Sequence, residues 1–196
     1  MTTKSYDDGT IKRMVKFLDP ADVRGTAMLI IDNQNAQDDM WIYLPALKKT
    51  RRIVSTEKGK SFMSSEFSNA DMSSGSDADF IIRHLPESGK NNTWVIESVP
   101  INDDKADEYG FSKKVTYLEK ASLKTMKIDF YNFDNELFKT IEILATQPLD
   151  GKEGYIMTDM LAINHLSGRS SRVKFDQVNT TVSIPDNTFV ADNLSR

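Results

Sequence analysis

The chain has 196 residues, 39% of them hydrophobic and 28% charged, with a net charge of −4. That supports a sizeable core and excludes a disordered tail or a fibrous repeat, while the acidic balance argues against a nucleic-acid partner. The chain has no cysteine and no run approaching the roughly 18 apolar residues of a membrane helix, which removes disulfides, Cys-ligated zinc, iron–sulfur clusters, thiol catalysis and helical membrane spans.

The predicted elements are short, repeated strands. Asp8-Gly9 is a type I′ hairpin dipeptide between strands expected over 4–6 and 11–18. Asp19-Pro20 breaks the chain, and strands follow over 26–31, 40–44 and 52–55, with a polar turn at 33–37 and Pro45 closing the middle run. Residues 61–76 differ: they are Ser-rich and carry Phe62, Met63, Phe67 and Met72 at irregular spacing, the pattern of a short helix or an ordered loop. Strands resume over 80–85 and 93–99 around a turn at 86–92, and the acidic stretch 102–108 reads as a solvated loop or helical turn. Strands over 115–119, 124–131 and 136–144 come next. After Pro148-Leu149-Asp150-Gly151 the last two run over 155–163 and 171–176, and Pro185 lies in an irregular tail.

Eleven or twelve strands, no long amphipathic helix and no linker predict a mainly β chain with a single domain over 1–196. The expected architecture is one large, strongly curved antiparallel sheet, an incomplete β-barrel with short helices or a loop covering its concave face. Because MTTKSYDDGT runs straight into strand-like sequence, the reading is of a chain lacking its natural N-terminal segment and signal peptide.

Catalytic motifs are sparse. Neither His84 nor His165 has a second nitrogen ligand at a metal-binding spacing, so no metal and no cofactor is expected. Gly59-Lys60-Ser61 lacks the glycine five residues upstream that a phosphate loop needs, since that position is Val54. Ser55 and Lys58 fit S-x-x-K without its companion motifs. An enzyme would require one of the histidines to lie near a carboxylate in a cleft. Lys48, Lys49, Arg51 and Arg52 form a basic cluster suited to a phosphate, an anionic headgroup or an acidic partner, or to keeping a sheet edge soluble.

What remains is apolar surface. In 124–131, Met126, Ile128 and Phe130 alternate with Thr125, Lys127 and Asp129, so one face is buried. Met28 and Ile30 sit in a run that is apolar on both faces. Trp41 and Tyr43 alternate with Met40, Ile42 and Leu44, and the pattern does not say which set points inward. These residues, with Phe62, Met63 and Phe67, are the candidates for lining an apolar cavity, plain core packing being the alternative at each.

Two stretches resemble a known family. Asp39-Met-Trp-Ile-Tyr-Leu-Pro-Ala-Leu-Lys-Lys-Thr-Arg-Arg-Ile53 and Ser61-Phe-Met-Ser-Ser-Glu-Phe-Ser-Asn-Ala-Asp-Met72 are similar to the W-x-Y-L-P-A-L-x-K-x-R-R-I and S-F-M-G-S-D-F-x-x-x-D motifs of the LolA-like family of bacterial outer-membrane lipoprotein-sorting proteins. Trp94-Val-Ile-Glu-Ser-Val-Pro100 resembles its strand ending in Pro, and Tyr131-Asn-Phe-Asp-Asn-Glu-Leu-Phe-Lys139 its Y-D-x-x-G-x-L-x-K hairpin. Ser64 and Asn135 stand where those motifs carry Gly, and Glu66 where they carry Asp. The resemblance implies a non-catalytic periplasmic carrier that holds a lipid or the acyl chains of a lipoprotein for transport to the outer membrane, with an inner-membrane transporter as a partner. The other function consistent with the sequence is an envelope scaffold or exporter accessory subunit without a bound lipid.

Overall fold

The structure is a computed structural model that describes residues 1–196 apart from 20, 34–35, 74, 87–91, 150–153 and 196. Five strands form a meander in chain order: β1 (Thr2–Ser5), β2 (Ile11–Lys16), β3 (Ala27–Asp32), β4 (Asp39–Leu44) and β5 (Lys49–Ile53). A seven-stranded meander follows, again in chain order: β6 (Phe80–His84), β7 (Thr93–Pro100), β8 (Lys113–Glu119), β9 (Thr125–Tyr131), β10 (Leu137–Pro148), β11 (Tyr155–Asn164) and β12 (Ser170–Lys174). The expectation of one strongly curved sheet is therefore corrected to two antiparallel sheets, neither of them closed. Residues 54–79, which hold no further strand among the described residues beyond an isolated bridge between Ser61 and Ser68, separate β5 from β6, with short 3-10 turns at Ser55–Glu57, Ala70–Met72 and Asp77–Asp79. Hairpin pairing is local and legible, whereas pairing across such an excursion has no signature in the strand pattern. Most of the predicted turn at 86–92, and Pro20, residues 34–35, Ser74 and Asp150-Gly151 of the other predicted breaks, lie outside the described residues.

β3 sits at the centre of the first sheet and is buried on both faces, which requires two covers. Met28 and Ile30, with Met40 and Ile42 of β4, join Phe62, Phe67, Phe111, Phe130 and Ile141 in the main core between the sheets. On the other face Ala27 and Leu29 pack under Phe189 and Leu194 of the C-terminal segment, with Trp41 and Tyr43 alongside. Lys4 Nζ, 2.7 Å from Asp186, and the Tyr6 hydroxyl, which donates to the same carboxylate at 2.8 Å, hold that segment in place.

The acidic stretch forms a helix, α1 (Asp103–Tyr109). The Asn102 side chain accepts from the Lys105 N–H at its start, and Gly110, with φ 76°, ends it. Segment 54–79 docks on this helix. A Cβ on Gly59 would lie 2.9 Å from Gly110 Cα, so the two backbones meet where only glycine fits. Lys58 Nζ lies 2.7 Å from Glu108, with both side chains buried, and Lys105 Nζ bridges Glu108 and Asp79 at 3.0 Å each. The Tyr109 hydroxyl donates to Asp79 at 2.7 Å.

Ser64 and Asn135 have φ of 59° and 61°. These are the positions at which the related motifs carry Gly, and the left-handed backbone is the physical reason. Asn tolerates it, while Ser is strained there. Ser64→Gly should therefore stabilise the fold by about 0.5–1 kcal/mol after the added freedom of the unfolded chain is counted, read as a higher urea midpoint. Asn135→Gly should gain less.

Burial works to raise the Glu108 pKa, but hydrogen bonds from Lys58 and Lys105 outweigh it and hold the carboxyl below its usual range. A depressed folded pKa stabilises fully above the unfolded value, and that contribution disappears as pH falls through the folded one. The stability gap between the natural chain and Glu108→Gln, measured by urea unfolding, should narrow as pH drops from neutral through about 4. A constant gap would show that the ion pair is not its source.

Candidate functional site

Residues opposite one another on an antiparallel ladder share a face, so the registers build the inner face of the seven-stranded sheet row by row. Lys114, Phe130 and Lys139 form one row, Thr116, Ile128, Ile141 and Ala162 the next, and Ile143, Met160 and Val173 the third. Segment 54–79 lies over this face at the first row. Between them opens a cleft of about 310 Å³, walled by Phe67 and Met72 on one side and by Phe80, Phe111, Ile143 and Met157 among others. That volume is at the lower end of small-ligand sites.

The segment is fastened by charge. Asp71 and Lys139 pair at 2.6 Å with side chains 8% and 7% exposed. Asp71 also accepts the Ser68 N–H at 2.7 Å, and Lys139 Nζ sits 4.2 Å from the centre of the Phe130 ring. Glu66 accepts from Asn164 Nδ2 at 2.9 Å and pairs with Arg169 at 2.7 Å, while its own N–H donates to Ser171 Oγ.

Lys114 differs from these cations. It lines the cleft with Nζ 4.5 Å from the centre of the Phe80 ring, and it has no hydrogen bond or ion pair among the described residues. Burial pushes its pKa down, and Asp71 and Asp77 offset this only in part.

The sequence candidates divide. Phe67, Ile128 and Phe130 line the cleft. Met28, Ile30 and Phe62 belong to the main core, and Met63 packs at its edge. Met126 lies where the β8–β9 register shifts and is half exposed, because the bulge interrupts the alternation that ties it to Ile128. Trp41 and Tyr43 point to the other face of β4, against the C-terminal segment. Lys48 lies in the turn before β5, and Lys49, Arg51 and Arg52 lie on that exposed edge strand. Arg51 pairs with Glu57 at 2.7 Å, and Arg52 pairs with Asp39. Sequence reasoning missed Lys114, Phe80, Phe111, Ile141, Ile143, Met157 and Met160. For Lys114 the available signal was parity: it shares a face with Thr116 and Leu118 rather than with Lys113.

The histidines lie away from this cleft. His84 meets Trp94 edge-on at 5.0 Å. His165 Nε2 is 2.8 Å from Thr140 Oγ1 on the opposite face of the sheet, and the Thr140 proton goes to Asp129 at 2.8 Å. With that proton committed to the carboxylate, His165 Nε2 is the donor to Thr140 and is not placed to activate it.

A solved structure described as an outer membrane lipoprotein-sorting protein domain, from Vibrio parahaemolyticus, has the same architecture. It is 29% identical, with a TM-score of 0.88 over 99% of this chain and 81% of that one. A DUF1329 family protein from Desulfovibrio piger is 27% identical, with a TM-score of 0.85 over 98% of this chain and 81% of its own. A LolA superfamily protein from Nitrosomonas europaea shares the fold at 17% identity, with a TM-score of 0.60 over 97% of this chain and 86% of that one. A family model with the description "Uncharacterized protein" matches residues 9–196. The chain belongs to that family. Its fold is LolA-like. No curated protein matches the sequence.

In this LolA-like chain, Lys139→Met would leave the Asp71 carboxylate buried without its partner. Stability should fall by about 3–5 kcal/mol, measured by urea unfolding. The double variant Asp71→Leu with Lys139→Met should regain most of that loss, because it leaves no buried charge behind.

Proposed function

We propose that this chain is a non-catalytic carrier that shelters an acyl chain of a lipid or of an acylated lipoprotein in the cleft over the seven-stranded sheet. The observation that carries the reading is the cleft itself, whose lining is mainly aromatic, isoleucine and methionine side chains. Each CH₂ transferred from water to such a wall contributes about 0.8 kcal/mol, so an acyl chain supplies ample driving force without any chemistry. Met72, Met157 and Met160 add a wall that adapts to the guest. The lipoprotein-sorting description of the Vibrio parahaemolyticus relative supports the same class. Among the described residues no helix is long and apolar enough to cross a membrane, and the carrier reading places the chain in the periplasm. Lys48 and Lys49, on the exposed edge beside Arg51 and Arg52, are the surface this reading offers to a membrane transporter. Segment 61–76 is the wall that would have to yield for loading and release.

Native mass spectrometry of detergent-free protein, with extraction and identification of any lipid, tests the reading. A lipid-sized added mass that disappears on denaturation is expected, and Ile141→Glu should abolish it. A clean apo mass after incubation with fatty acids, phospholipids and an acylated peptide would overturn the carrier and favour an envelope interaction protein that uses its basic edge.

A further inference from the structure

The first inner-face row places Lys114, Phe130 and Lys139 side by side on β8, β9 and β10. Lys139 is committed to Asp71, and the Phe130 ring stands between the two lysines. Strands lie about 4.8 Å apart, so Lys114 and Lys139 start about 10 Å from one another and do not share a counter-ion through short contacts. The next two rows, Ile128 with Ile141 and Ala162, then Ile143 with Met160, are apolar apart from Thr116. Each row is about 7 Å further along the strands. The cleft is thus polar at one end and greasy along its length.

An ammonium on such a wall is costly without a counter-charge, and a Met at the same position would fill the space without that cost. From this we infer that Lys114 is the headgroup contact of the cleft, and that its ligand is a single-chain amphiphile ending in a carboxylate, such as a free fatty acid. The assignment rests on the carrier reading and narrows it. The acyl chains of a lipoprotein are esters and amides with no terminal carboxylate. Lys114 makes no direct ion pair among the described residues, and the longer-range fields of Asp71 and Asp77 offset its charge only in part, so the site suits a single negative charge rather than two. A phosphate monoester dianion would keep an excess charge close to Asp71, which also lines the cleft. The acyl tail would run from Lys114 past Ile128 and Ile141 towards Ile143 and Met157.

Isothermal titration calorimetry of the full chain with decanoic acid, 1-decanol and decyl phosphate at neutral pH tests this. The natural chain should bind decanoate at least about tenfold more tightly than 1-decanol, the worth of one charge-assisted hydrogen bond. In Lys114→Met that ratio should collapse to about one, and Lys114→Arg should restore part of it. Equal binding of decanoate and 1-decanol by the natural chain, an unchanged ratio in Lys114→Met, or tighter binding of decyl phosphate would each overturn the carboxylate assignment while leaving the carrier intact. Binding of none of the three, together with a lipid-free native mass, would remove both. The comparison within the natural chain needs no variant to fold.

Discussion

The buried pair between Asp71 and Lys139 is the constraint on which the rest of the site depends. Each is the other's only direct ion-pair partner among the described residues. Asp71 is further held by the Ser68 N–H, and Lys139 rests on the Phe130 ring. Such a pair adds little net stability over a well-packed apolar one, but separating its members is expensive, and that asymmetry sets position rather than strength. At the other end of the segment, Lys58 on Glu108 and Gly59 on Gly110 do the same against α1. With Glu66 and Asp79 adding further anchors, the segment is fixed over the first row of the inner face, and the cleft is the space it leaves there.

The two ends of that pair come from stretches that look unrelated in the sequence. Asp71 closes the S-F-M-G-S-D-F-x-x-x-D resemblance, and Lys139 closes the hairpin one, 68 positions away. The β9–β10 register shifts between Leu137 and Lys139, which brings Lys139 opposite Phe130. Parity along β10 places Lys139 inward, in line with Ile141 and Ile143. A lysine is ordinarily read as outward-facing, and only the carboxylate brought by a distant segment makes the inward position tolerable.

The strands themselves were legible because their signals are local. Alternation, hairpin dipeptides and proline breaks placed each of the twelve within a few residues, from Asp8-Gly9 between β1 and β2 to the 171–176 run that became β12. The division into two sheets was not legible, since nothing in β5 or β6 states whether they pair. Within the site, Ile128 and Phe130 followed from alternation, whereas Met126 was lost to a bulge that no propensity marks. Trp41 and Tyr43 could not be placed because β4, like β3, is covered on both faces, and period-two reasoning separates the faces without naming them. Lys114 escaped notice because its neighbour Lys113 makes the pair look like the polar start of a strand. In fact Lys113 reaches Glu97 and the Tyr131 ring on the outer face while Lys114 turns in.

The two faces of the seven-stranded sheet handle charge differently, and that difference gives the cleft its polarity. On the outer face each buried carboxylate has its own cation reaching towards water: Glu97 has Arg83 and Lys113, Asp129 has Lys127, and Asp159 has Arg172. Those groups are balanced within the sheet and ask nothing of a ligand. On the inner face, β8 and β10 contribute the two lysines, and the balancing carboxylate arrives from outside the sheet, on segment 54–79. Asp71 pairs directly with Lys139 alone, so Lys114, at the polar end of an apolar wall, is left with only the longer-range fields of Asp71 and Asp77. In a chain of net charge −4 this local excess is opposite in sign to the whole. It is a property of the docked segment as much as of the sheet, because displacing Asp71 would leave Lys139 without its partner as well. Under the proposed carrier reading, binding of an anionic guest and the position of the segment would be coupled through the same row of side chains.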